Sequence, residues 1–229
     1  MLIIRREART VPRILVLAAL LGGCATTEEV KEVEKSGFLG DYSMLQPGAA
    51  GQAALRYINP DAQFSAYDKV LIEPITIWAN LDSALKDVPE EERKMLVDYL
   101  HTALSSELGK DYTLVSTPGP GVMRLRVAIT EARSTSPVMS TVSNIVPQML
   151  LISNVKKLAT GTHAFVGSAA AEGELVDGAS GARLAAWVDK RSGGKSVERI
   201  GAGAWDDYKN ACVAWAQQLA RRLAESRAQ

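Results

Sequence analysis

The chain has 229 residues, 47% hydrophobic and 23% charged, with a formal net charge of zero. That length and composition sustain a sizeable core and exclude wholesale disorder. Residues 1–23 hold four arginines and one glutamate, so the remainder has 22 basic against 25 acidic side chains, a net of about −3 that excludes an electrostatic pull toward nucleic acid.

In chain order, the arginines of "MLIIRREARTVPR" precede the apolar run Ile14 to Leu21, and Gly22-Gly23 follow. This is the order of a secretory signal over residues 1–23. The run is half of the roughly 20 residues a spanning helix needs. Leu21-Gly22-Gly23-Cys24 resembles the bacterial lipobox. The resemblance implies cleavage before Cys24 and lipid on it, with the attached acyl chains giving slow desorption from a bilayer. Ala25 stands where an aspartate would favour inner-membrane retention, so the expected location is the outer membrane, facing the periplasm. A buried or disulfide-bonded Cys24 is the plain alternative. The only other cysteine is Cys212, so a lipidated Cys24 leaves no intramolecular disulfide and no cysteine-based metal site.

Residues 24–35 read as a charged, lipidated tether, and 36–229 as a single α+β domain. "SGFLGDYS" (residues 36–43), "RYINPDAQFSAYDKVLIEPITIW" (56–78) and "GPGVMRLRVAIT" (119–130) resemble the bacterial lipoprotein family called domain of unknown function 3313 (DUF3313). Beyond the lipid-bearing Cys24, that resemblance implies no functional residues.

Tyr67 to Trp78 is β-branched and apolar, and Pro74 shifts its phase, which predicts an edge or bulge. Asp87-Val88-Pro89-Glu90 predicts a helix start. The stripe Leu96, Tyr99, Leu100, Ala103, Leu104 and Leu108 carries that helix as far as Gly109. Met123, Leu125, Val127 and Ile129 alternate with Arg124, Arg126, Ala128 and Thr130, a half-buried strand with a basic outer face. His163 to Val176, the turn "DGASG" and Ala182 to Asp189 read as a hairpin. Its small residues Gly167, Ala169, Ala171 and Gly173 let a helix approach closely. Trp205, Tyr208, Cys212, Trp215, Leu219 and Leu223 define a C-terminal amphipathic helix, with Cys212 as a buried, inert thiol. The order predicts an α+β fold: a mainly antiparallel sheet of four to five strands packed by two long helices, with an extra amphipathic segment.

That segment is Thr141 to Gly161, where Ile145, Met149, Ile152 and Val155 fall near one helical face. It reads either as a third helix on the core or as an exposed arm for self-association, an envelope protein partner or the bilayer surface.

Catalytic and cofactor motifs do not assemble in the sequence. "RSGGKSVERIG" ends like a phosphate-binding loop, but Asp189 stands where that pattern needs its first glycine. His101 and His163 lack metal-ligand spacing, and no nucleophile elbow occurs. "PEEERK" and "WDD" are acidic first turns that complement helix dipoles. The expectation is an outer-membrane lipoprotein without enzymatic activity or cofactor, acting by binding or scaffolding. The alternative is a carrier of a small apolar ligand or lipid between sheet and helices, needing an apolar pocket of several hundred Å³.

Overall fold

The computed structural model describes residues 27–79, 83–134, 167–193 and 203–228. Its strands are β1 (Thr27–Glu29), β2 (Gln46–Pro47), β3 (Leu55–Ile58), β4 (Lys69–Ile72), β5 (Thr76–Ile77), β6 (Thr113–Leu114), β7 (Val122–Arg133), β8 (Ser168–Asp177) and β9 (Arg183–Gly193). Helix α1 (Glu90–Leu108) lies between β5 and β6, and α2 (Asp206–Arg227) follows β9.

These strands form one nine-stranded sheet in the order β2-β3-β9-β8-β7-β4-β6, with β1 joined to β9 and β5 to β7. The expected antiparallel sheet of four to five strands is therefore corrected: the sheet is larger, mixed and the dominant element of the fold. Two physical reasons account for the difference. Strands of two to four residues, such as β1, β2, β3, β5 and β6, are too short to leave a readable period. The helix between β4 and β7 carries the chain back to the end from which it started, so β7 runs parallel to β4. The β7–β8–β9 meander is antiparallel, and its turn at "DGASG" places Gly181 at φ +74°.

Pro74 falls in the gap between β4 and β5, where a residue without an N–H breaks the ladder to β7. Alternation assigns the two faces of the sheet. On one, Met123, Leu125, Val127 and Ile129 of β7 and Ala169, Ala171 and Leu175 of β8 meet the leucine stripe of α1 and the apolar stripe of α2. Tyr208 of α2 donates from its hydroxyl to the carbonyl of Leu96 in α1 at 2.8 Å, locking the helix pair. On the other face, Leu39 and Leu45 cover Ala186 and Val188.

The stretch read as a tether takes part in this architecture. Thr27, Glu28 and Glu29 pair with Gly193, Ser192 and Arg191, and Val33 packs beside Leu39. No helix of the described residues is long and apolar enough to cross a membrane.

Candidate functional site

The helix-side face of β3, β8 and β9 does not close fully against α2. Trp187 of β9 stands opposite Gly173 of β8. A Cβ on Gly173 would come within 2.4 Å of the Trp187 ring, so only glycine lets the indole lie against the neighbouring strand. The ring, with Ala171, Leu175 and Ala185, floors a cavity of about 110 Å³. Leu219 and Leu223 of α2 and Leu100 and Leu104 of α1 wall it. Small residues on the strands and leucines on the helices leave a gap that neither side fills.

Its lining includes three charged side chains. Asp189 is 1% exposed and has three donors: Trp215 Nε1 at 2.8 Å, Arg191 Nε at 3.2 Å and the Ala54 N–H at 3.3 Å. Burial pushes its carboxyl pKa up, against the opposing pull of Arg191 and the other donors. This carboxylate joins β9, α2 and the approach to β3. Arg222 pairs with Glu225 at 2.8 Å and donates to the Gly51 carbonyl at 3.2 Å. Arg56 donates to Gln52 Oε1 at 2.8 Å, and among the described residues it has no carboxylate partner. Ile58, two residues along β3, is 38% exposed at the same mouth.

The opposite face holds a polar network. Glu172 is fully buried and accepts from the Ser36 N–H at 2.6 Å and the Tyr42 hydroxyl at 2.5 Å. Tyr42 Oη in turn accepts from the N–H groups of Gly37 at 2.8 Å and Leu39 at 3.3 Å. Burial and then the Glu172 hydrogen bond raise the tyrosine pKa. Glu174 pairs with Arg126 and with Arg183 Nε at 2.7 Å. Arg183 also donates to the carbonyls of Asp41 at 2.8 Å and Leu39 at 2.7 Å. The "SGFLGDYS" stretch is thereby clasped to the sheet, with Gly37 and Gly40 supplying φ of +95° and +70°. Both oxygens of each carboxylate have a donor, and the network serves attachment. Among the described residues no group of three His, Cys, Asp or Glu side chains is placed to hold a metal ion.

Cys24 and the segment with Ile145, Met149, Ile152 and Val155 lie outside the described residues, as does His163. His101 is exposed on α1, and its Nδ1 lies 3.5 Å from Ser105 Oγ. Cys212 is buried in the helix interface, and burial raises its thiol pKa to about 12. The row of small residues in β8 does mark a close approach. At Gly167 the approaching group is Asp207 of α2, the expected helix, whereas at Gly173 it is the Trp187 indole. Arg56 escaped notice because nothing local distinguishes it from any strand arginine.

The family model described as "Protein of unknown function (DUF3313)" matches residues 34–219. The "Uncharacterized lipoprotein YdcL" of Escherichia coli K12 is 30% identical over 163 residues, covering 70% of this chain and 71% of that protein. Among solved structures, the PelC dodecamer of Paraburkholderia phytofirmans is similar with a TM-score of 0.39 and 12% identity, over 71% of this chain and 95% of that one. A minor lipoprotein of Acinetobacter baumannii is similar with a TM-score of 0.34 and 12% identity, over 70% and 95%.

Proposed function

The chain belongs to the DUF3313 family, and on that premise we propose that it is a lipid-anchored, non-enzymatic binding protein of the cell envelope. Its ligand site is the cavity over Trp187. Lipid on Cys24 holds it to the outer membrane, with the folded body in the periplasm. The lipobox and the lipoprotein relative support the anchor. The observation that carries the binding role is the apolar cavity, because interiors leave few voids larger than a water molecule, and an apolar hollow with a few polar groups at its mouth is the form that ligand sites take. At about 110 Å³ it falls short of the several hundred that a carrier enclosing a whole lipid requires, so it seats part of a ligand.

The test is saturable binding of an environment-sensitive apolar dye to the full chain, compared with an Ala185→Leu variant. Leucine at this floor position fills the gap. The expected result is binding by the parent and at least about tenfold weaker binding by the variant, with an unchanged circular dichroism spectrum. A parent that shows no saturable binding overturns the reading, as does a folded variant that binds equally well. Incorporation of an alkyne-tagged fatty acid, lost in Cys24→Ser, tests the anchor.

A further inference from the structure

The cavity lies at the corner of the sheet where β1, the first described strand after Cys24, joins β9. Only Ala25 and Thr26 separate Cys24 from β1. Three residues of chain span at most about 11 Å. Thr27, the first residue of β1, accepts through Oγ1 from Arg191 Nη1 at 3.2 Å. Arg191 Nη2 donates to Gln218 Oε1 at 2.7 Å, and Gln218 lines the cavity. Gln218 Nε2 donates to the Gly51 carbonyl at 3.0 Å, and the Gly51 N–H donates to Glu29 Oε2 at 3.2 Å. β1 is thus two hydrogen bonds from the cavity rim, and lipid on Cys24, as proposed above, would bring the mouth near the surface of the bilayer.

The charges at this mouth do not cancel. Asp189 is answered by Arg191 and Arg222 by Glu225, which leaves Arg56 facing only the neutral Gln52 among the described residues. A guanidinium is a planar donor fork suited to phosphate or carboxylate oxygens, and that of Arg56, half-buried at the mouth, is open to such a partner. The size of the cavity limits what accompanies that anion. An apolar cavity of about 150 Å³ takes one benzene ring. About 110 Å³ takes the end of a single chain, not two chains.

Resting on the reading of the cavity as a ligand site, we infer that its occupant is one acyl chain end of an anionic lipid from the membrane that anchors the protein. The headgroup pairs with Arg56, and the chain end lies over Trp187. The lipid stays partly in its leaflet, which a small, open-mouthed cavity permits and an enclosing carrier does not. The domain then reads the charge of the membrane surface to which it is attached.

The experiment uses the full chain in phosphatidylcholine nanodiscs doped with an acyl-photoreactive phosphatidylglycerol or, at the same level, an acyl-photoreactive phosphatidylcholine. Crosslinked peptides are mapped by mass spectrometry. The expected result is labelling of the peptides carrying Ile58, Trp187 and Leu219, about five- to tenfold stronger from phosphatidylglycerol. Arg56→Gln brings that preference down to the phosphatidylcholine level, and Arg56→Lys retains part of it, which separates loss of charge from loss of fold. Equal labelling by both lipids, or a preference that survives in Arg56→Gln, overturns the anionic assignment and leaves the cavity as an apolar site. Absence of cavity labelling from either lipid overturns the lipid occupant. The dye comparison with Ala185→Leu separately reports whether the cavity binds anything at all.

Discussion

Tyr42 donates a 2.5 Å hydrogen bond to Glu172, 130 residues away in sequence, and with the Ser36 N–H it ties the N-terminal clasp to the middle strand of the sheet. Glu172 is fully buried, and among the described residues no cation pairs with it. Its charge is supported by Tyr42 and by the Ser36 N–H. The tyrosine also closes the turn through the N–H groups of Gly37 and Leu39. Removing the hydroxyl leaves a buried carboxylate short of a donor and two N–H groups without their acceptor. Tyr42→Phe is therefore expected to lower stability by about 2–3 kcal/mol in urea denaturation. A cycle with Glu172→Gln is expected to show coupling of about 1 kcal/mol or more. A Tyr42→Phe midpoint within error of the parent would mean that the clasp is held elsewhere.

Gly173 offers a test of packing and binding together. Its substitution by alanine puts a Cβ within 2.4 Å of the Trp187 ring, so the indole must move. The cost of such overpacking is about 1–3 kcal/mol. Because the indole forms the cavity floor, dye binding is expected to fall along with stability. In the Trp187→Leu background the same alanine substitution is expected to cost less than half as much. An additive double mutant would show that the two side chains do not oppose each other.

Cys212 is expected to be chemically silent. Burial holds its thiol pKa at about 12, so at pH 8 almost none of it is thiolate, and no reagent reaches it without opening of the helix pair. In a Cys24→Ser chain, a disulfide reagent is expected to titrate no thiol in native buffer and one in denaturant. Rapid reaction in native buffer would refute the buried placement.

Acid is expected to weaken the fold from a defined side. Burial would raise the pKa of Glu131, but hydrogen bonds from Lys190 and Ser168 outweigh it and hold the value below 4.5. Hydrogen bonds from the Ser180 side chain and backbone hold Asp177 below 3.8. A group whose folded pKa is depressed contributes stability above its unfolded value and loses it as pH falls toward the folded value. Thermal midpoints are expected to be level above about pH 5 and to drop below about 4.5. Asp189, raised by burial, acts in the opposite sense, and its protonation offsets part of that loss. Glu131→Gln is expected to flatten the acid limb, and an unchanged limb would exclude Glu131 as its source.

The longest elements were the most legible in the sequence. The stripe from Leu96 to Leu108, the alternation from Met123 to Ile129 and the C-terminal stripe through Trp215 all lie in the expected element types. Each has enough repeats for burial on one face to show as a period. The candidate site was much less legible. Its floor was hinted at by the small residues of β8, but the partner of Gly173 is 14 residues away across a turn, and Arg56 has no local signature.

Local chemistry carries a further part of the reading. The order of basic run, apolar run and Gly22-Gly23-Cys24 points to the membrane because signal recognition acts on contiguous residues, and helix stripes arise from the geometry of one segment. Tertiary structure settled the rest. Strands of two to four residues join the sheet only because a longer neighbour offers them its open edge, as β9 does for β1 and β3. "SGFLGDYS" becomes a clasp only when Glu172 lies beneath it. The cavity is a shortfall in packing between strands and helices remote in sequence, and among the described residues the fold brings no carboxylate to Arg56. Volume and charge compensation are properties of neighbours in space, and no period along the chain records them.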